Sequence, residues 1–131
     1  MKTIAVDTNI FIDMLHGDET FRKTLASSQS ILVSPVVCSE ILVGFDDTRA
    51  GRAAKERFRR FLELPIVSVP PIDRGTAELH AEIRRQLRKA GTPIPQNDIW
   101  IAAMAMEHGA VLCTRDGDFR AVANLRIVAE P

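Results

Sequence analysis

The chain has 131 residues, in which 17 Lys and Arg are balanced by 17 Asp and Glu; 46% of residues are hydrophobic, and there are two Cys, seven Gly and seven Pro. That length suits one domain, taken as 1–131, and the composition is that of a globular rather than a disordered chain. Zero formal net charge argues against a uniformly cationic nucleic-acid binder, while leaving local basic patches open.

In chain order, short β-rich apolar runs alternate with helical patterns. Thr3 to Val6, Ile31 to Val33, Ile66 to Val69, Val111 to Cys113 and Arg126 to Val128 are the expected strands. A helix through Ile10, Phe11 and Ile12 follows the first. Ser34-Pro35 opens another, because proline suits a first helical turn, and Val37, Ile41 and Phe45 then recur every four residues. Ala54, Phe58, Phe61 and Leu62 form the stripe of the next, and Leu79, Ile83 and Leu87 that of a fourth. Ile99 to Met106 is apolar all round, the mark of a helix buried on every side, and Gly109 ends it. Alternation of this kind implies crossover connections, hence an α/β fold in three layers. Its centre would be a mainly parallel sheet of about five short strands, flanked by helices.

Other features are quickly placed. No apolar run reaches the length of a transmembrane helix, and Asp7 interrupts any secretory apolar core at the start, so a cytoplasmic protein without membrane contact is expected. Cys38 and Cys113 are far apart in apolar surroundings and read as buried thiols in a reducing compartment. His16, His80 and His108 lack metal-ligand spacing and read as surface or helix-end residues.

Ligands of open α/β sheets bind beyond the carboxyl ends of the strands. Asp7-Thr8-Asn9 follows the first strand, Glu40 lies one helical turn after the second, and Thr114-Arg115-Asp116-Gly117-Asp118 follows the fourth. Asp98 heads the buried helix. A structural account exists for each acid: Asp7 ends a strand, Asp98 interacts with a helix dipole, Glu40 is solvated, and Asp116-Gly117 is a turn. Together they are harder to dismiss, because clustered carboxylates repel and raise one another's pKa unless a cation sits among them. A hard divalent ion with oxygen ligands, Mg²⁺ with Mn²⁺ as substitute, suits such a set, whereas the missing His and Cys argue against zinc. Such a site handles phosphate esters, since the ion activates a bound water and neutralises phosphoryl charge. Thr8, Asn9, Thr114 and Asp118 are placed to orient carboxylates or water, and Thr8 or Asn9 also suits a helix cap.

In these segments the chain resembles the PIN-domain ribonucleases, and among them the VapC-type toxins of toxin–antitoxin pairs. The resemblance rests on Val6-Asp7-Thr8-Asn9, Ser39-Glu40-Ile41-Leu42, Asn97-Asp98-Ile99-Trp100-Ile101-Ala102-Ala103 and Leu112-Cys113-Thr114-Arg115-Asp116-Gly117-Asp118-Phe119, in that order and across essentially the whole chain. It implies that Asp7, Glu40, Asp98 and Asp116 hold Mg²⁺ and carry catalysis, with Asp118 the alternative fourth acid. It also implies endonucleolytic RNA cleavage by metal-activated water, a homodimer, and inhibition by a cognate antitoxin.

Two helical stretches are basic: Arg49, Arg52, Lys55, Arg57, Arg59 and Arg60 in one, and Arg84, Arg85, Arg88 and Lys89 in the other. They read either as solvated faces or as a rim that meets RNA phosphates, with Arg49, Arg52, Arg84, Arg85, Arg88 and Arg115 the contacts expected. Aromatic residues are few and Tyr is absent, so extensive base stacking is not expected. The competing functions are a stand-alone RNA-processing nuclease, a small-molecule phosphohydrolase with Asp7 as nucleophile, and an inactive binding module.

Overall fold

Residues 2–128 are described by the computed structural model. β1 (Thr3–Val6) lies at the centre of a five-stranded sheet, with β2 (Ser30–Leu32) and β3 (Val67–Ser68) to one side and β4 (Val111–Cys113) and β5 (Ile127–Val128) to the other. Every neighbouring pair is parallel; Ala5 faces Leu32 on one flank and Leu112 on the other. The strands were legible as apolar runs because β1, β2 and β4 are covered on both faces, which removes the polar alternation of a half-exposed strand. Their bounds shift by a residue or two where pairing stops: the outer strands β3 and β5 are pairs of residues only.

The chain runs outward from β1 through β2 to β3, then crosses back to β4 on the opposite flank. The order of strands therefore reverses between β1 and β4, and a crevice opens at their carboxyl ends. Asp7 stands at that point, its amide still bonded to Cys113 O at 3.1 Å.

Among the described residues, six helices cover the sheet. α1 (Thr8–Leu15) starts directly on Asp7, α3 (Pro35–Gly44) is capped by Ser34, and α4 (Arg49–Leu62) by Thr48. α5 (Arg74–Ala90) opens with a reciprocal cap between Asp73 and Thr76 and ends at Gly91, whose φ of 72° is left-handed. α6 (Gln96–Glu107) packs on α5 and is buried through Ile99 and Ile101 to Ala105. The short α2 (Arg22–Ala26) was not anticipated, since only Phe21 and Leu25 mark it in sequence and five residues carry too little periodicity. Gly117–Ala121 is a 3₁₀ turn that drops Phe119 into the core.

The core is continuous around the sheet, with Phe58 of α4 wholly buried against Phe11 of α1, their ring centroids 5.0 Å apart and edge-on. Burying a side chain of that size contributes about 2–3 kcal/mol. Two local expectations are corrected. His80 is buried and stacks on Trp100 with centroids 4.0 Å apart, because its position on α5 faces α6 rather than solvent. Cys38 is only partly buried, lying one helical position off the stripe formed by Val37 and Ile41, whereas Cys113 is fully enclosed in β4 and its thiol is pushed up to about 12 by burial. No helix among the described residues is long and apolar enough to cross a membrane.

Candidate active site at the carboxyl ends of β1 and β4

Asp7 leaves β1 just as α1 begins, and its position as N-cap is dictated by that junction. One carboxylate oxygen accepts the Thr8 amide at 2.8 Å, and the other accepts the Thr114 hydroxyl at 2.7 Å from the end of β4. The side chain is buried, and burial, the largest influence, raises its pKa. The two hydrogen bonds work in the opposite direction by favouring the ionised form, while the charges of Glu40 and Asp116 push it up again.

Glu40 comes from α3. Its Oε1 accepts the Thr8 hydroxyl at 2.6 Å, and its Oε2 accepts the Asn97 side-chain amide at 3.4 Å from the start of α6. Thr8 thus links Asp7 through its amide and Glu40 through its hydroxyl. In the sequence Asn97 stands out only as part of a motif; its direct contact with Glu40 is invisible there because the partners lie 57 positions apart.

Asp98 sits one residue further along α6, half-buried, with its pKa raised to about 6. Burial is the main cause, followed by the charges of Asp7, Asp116, Glu40 and Asp118. Acids from four separate segments therefore share one electrostatic neighbourhood. Asp116 is tied in by its amide, which donates to Thr114 Oγ1 at 3.0 Å, and its own Oδ1 accepts the Asp118 amide at 2.9 Å. Asp118 is exposed while Asp116 is half-buried, so Asp116 is the more enclosed of the two acids considered for the fourth position. Asn9 is exposed on the first turn of α1.

Arg115 behaves differently from the rim residue that its sequence suggested. Its guanidinium bonds to Asp13 and to Asp18, the latter at 2.8 Å, and lies over the Phe21 ring. It ties the loop after β4 to the end of α1. Arg52 bonds to the Asp47 carbonyl and Lys55 pairs with Asp47 at 3.2 Å, so part of the α4 charge serves its own N-terminus.

The chemistry of this donor set fits a hard divalent cation: the side chains in mutual repulsion are carboxylates only, and a dication would relieve that repulsion. Among the described residues, no group of three or more His, Cys, Asp and Glu is already drawn together to hold an ion. The hydrogen bonds to Thr8, Thr114 and Asn97 hold Asp7 and Glu40 in place, so closing the set around a cation requires side-chain movement.

Fold and site together define a parallel α/β protein with an acid-lined crevice at its topological switch point. Residues 4–125 match the family described as PIN domain, and the chain belongs to that family. It is similar to the protein named ribonuclease VapC4 from Mycobacterium tuberculosis, at 30% identity over 96 residues, covering 73% of this chain and 74% of that one. The VapC ribonuclease Y4jK from Sinorhizobium fredii is 30% identical over 135 residues, covering 95% of each chain. In fold the chain is similar to VapBC-5 from Mycobacterium tuberculosis, described as a member of a toxin–antitoxin family, with a TM-score of 0.75 at 23% identity over 97% of this chain and 100% of that one.

Proposed function

We propose that this chain is a Mg²⁺-dependent endoribonuclease, with Mn²⁺ a possible substitute for Mg²⁺, and the toxin of a type II toxin–antitoxin pair. The observation that carries the reading is the convergence of acids from four segments, with Asp7 and Glu40 joined through Thr8, Asp7 and Asp116 through Thr114, and Glu40 bonded to Asn97 beside Asp98. Asp7, Glu40, Asp98 and Asp116 would hold the cation, while Thr8, Thr114 and Asn97 orient the carboxylates. The chemistry that a divalent cation would supply there is activation of water and neutralisation of charge on the phosphoryl oxygens. The two hydrogen bonds to Asp7 favour its ionised form against the effect of burial, and the exposed edge of the site at Asp118 and Asn97 gives a phosphodiester a way in.

A phosphohydrolase with Asp7 as nucleophile is less well supported, because both of its oxygens already accept hydrogen bonds and the side chain is 6% exposed. The similar proteins named ribonucleases, and the VapBC likeness in fold, support RNA as substrate and a cognate antitoxin as partner; a homodimer belongs to the same reading.

The test is incubation of the purified chain with a panel of tRNA and mRNA, with Mg²⁺, with Mn²⁺ and with EDTA. Cleavage that needs either ion and is lost in Asp7→Asn is expected. Cleavage unchanged in EDTA would overturn the metal mechanism, and a trapped acyl phosphate on Asp7 would favour the hydrolase.

A further inference from the structure

The basic stretch at the end of α5 is divided by the helix into two faces. Arg84 and Arg88, four residues apart, stand on the same face and border a hollow of about 240 Å³ whose other walls include Pro93, Ile94, Gln96 and Ile99. Arg85 lies on another face, lining a separate shallow groove together with the carboxylates Glu78 and Glu82. Among the described residues, neither Arg84 nor Arg88 forms an ion pair. Two like charges one helical turn apart repel, so an unpaired pair beside an apolar wall is an arrangement that an anion would relieve.

The hollow has a defined relation to the acids. Gln96 forms part of its wall, Asn97 is the next residue and bonds to Glu40, and Asp98 follows. Gln96 and Ile99 fall on one side of the first turn of α6, and Asp98 on the opposite side, since successive residues rotate by about 100°. The two sites are thus separated by roughly the width of a helix, about 10 Å. Within the same helix pair the buried His80 of α5 stacks on Trp100 of α6, which fixes how the two helices meet beside the hollow.

Resting on the ribonuclease reading, we propose that this hollow is a subsite for a nucleotide neighbouring the scissile one, with a backbone phosphate on Arg84 and Arg88 and the base against Pro93 and Ile94. Its size suits a single base rather than an extended ligand. Arg85 takes no part. The substrate strand then crosses the N-terminal turn of α6, from the cationic hollow on one side to the acid crevice on the other. In this arrangement the positive charge that holds RNA is kept off the carboxylates that must hold a cation.

The experiment measures binding of a short fluorescein-labelled single-stranded RNA by anisotropy, across a salt series, in the Asp7→Asn background with EDTA so that the RNA survives. R84A/R88A is expected to weaken binding about tenfold and to flatten the slope of log affinity against log salt by about 0.7, the value for one phosphate contact on a single strand. R85A is expected to leave both unchanged. I94A is expected to weaken binding with the slope preserved, because an apolar contact releases no counterion. Equal effects of R84A/R88A and R85A, or no effect of either while the parent binds and the wild type cleaves RNA, would overturn the subsite and leave the ribonuclease reading standing. A parent that binds no RNA and a wild type that cleaves none would overturn the ribonuclease reading itself. A change in oligomeric state of R84A/R88A by light scattering, with RNA affinity retained, would assign the hollow to a protein contact instead and overturn the proposal.

Discussion

Asp7 and Asp98 face the same crevice from different elements. Asp7 is the more deeply buried, yet an amide and a hydroxyl occupy its two oxygens and counter the effect of burial. Asp98 is only half-buried in the first turn of α6, but burial and four neighbouring acids all push its pKa upward, to about 6. Depth alone therefore does not set the cost of a charge. Scaffold hydrogen bonds offset part of the effect of burial on Asp7, whereas nothing comparable favours the ionised form of Asp98.

The largest effect expected from this contrast is on catalysis. Asp7→Asn should lower the rate of RNA cleavage by about 10³-fold, read in single-turnover assays, with the fold intact by circular dichroism. A variant within tenfold of wild type would remove Asp7 from the centre of the site.

Next comes the metal. Mg²⁺ at about a hundred times its dissociation constant should stabilise the chain by about 3 kcal/mol, close to 10 °C in Tm, and EDTA should reverse it. Scanning calorimetry reads the shift. No change with Mg²⁺ or Mn²⁺ would argue against a shared cation site.

Thr114→Val breaks the comparison from the other side. It removes the hydroxyl that Asp7 accepts and the acceptor used by the Asp116 amide. A loss of about 2 kcal/mol in urea unfolding is expected. Because that hydroxyl favours the ionised carboxylate, the pKa of Asp7 should rise further and the acid limb of the pH–rate profile should move to higher pH.

The smallest effect is on the stability of the metal-free protein as a function of pH. Below the ordinary Asp value of 3.8 both folded and unfolded chains hold the Asp98 proton, so there is no penalty. Between that value and about 6 the folded chain keeps a proton that the unfolded chain has released, so stability falls as pH rises. Above about 6 the penalty is complete, about 1–2 kcal/mol after solvent screening at this half-exposed position. Asp98→Asn should remove that penalty, raising the metal-free Tm by about 5 °C at pH 7.5 and by much less at pH 4. An equal shift at both pH values would mean that the change acts through packing rather than charge.

The strands and the buried helix could be read from the sequence because their apolar runs answer to local requirements: both faces of β1 and β4 are covered, and α6 is enclosed. The acids of the site were legible for a related reason: Asp7 and Asp116 follow strand ends and Asp98 heads a buried helix, while Glu40 lies within the helix that follows β2. The short α2 and the burial of His80 were not, because five residues establish no periodicity and a histidine's environment depends on the helix opposite.

What the sequence determined by itself was the alternation of elements and the identity of the four acid segments, both consequences of residue type at close spacing. Only the tertiary structure decided which charges are spent and which remain available. Arg115 is drawn inward by Asp13 and Asp18, Arg85 lines a groove that also contains Glu78 and Glu82, and Arg84 and Arg88 border the hollow together. Charge acts through space, and the partners that neutralise a side chain arrive from elements whose positions local sequence does not encode.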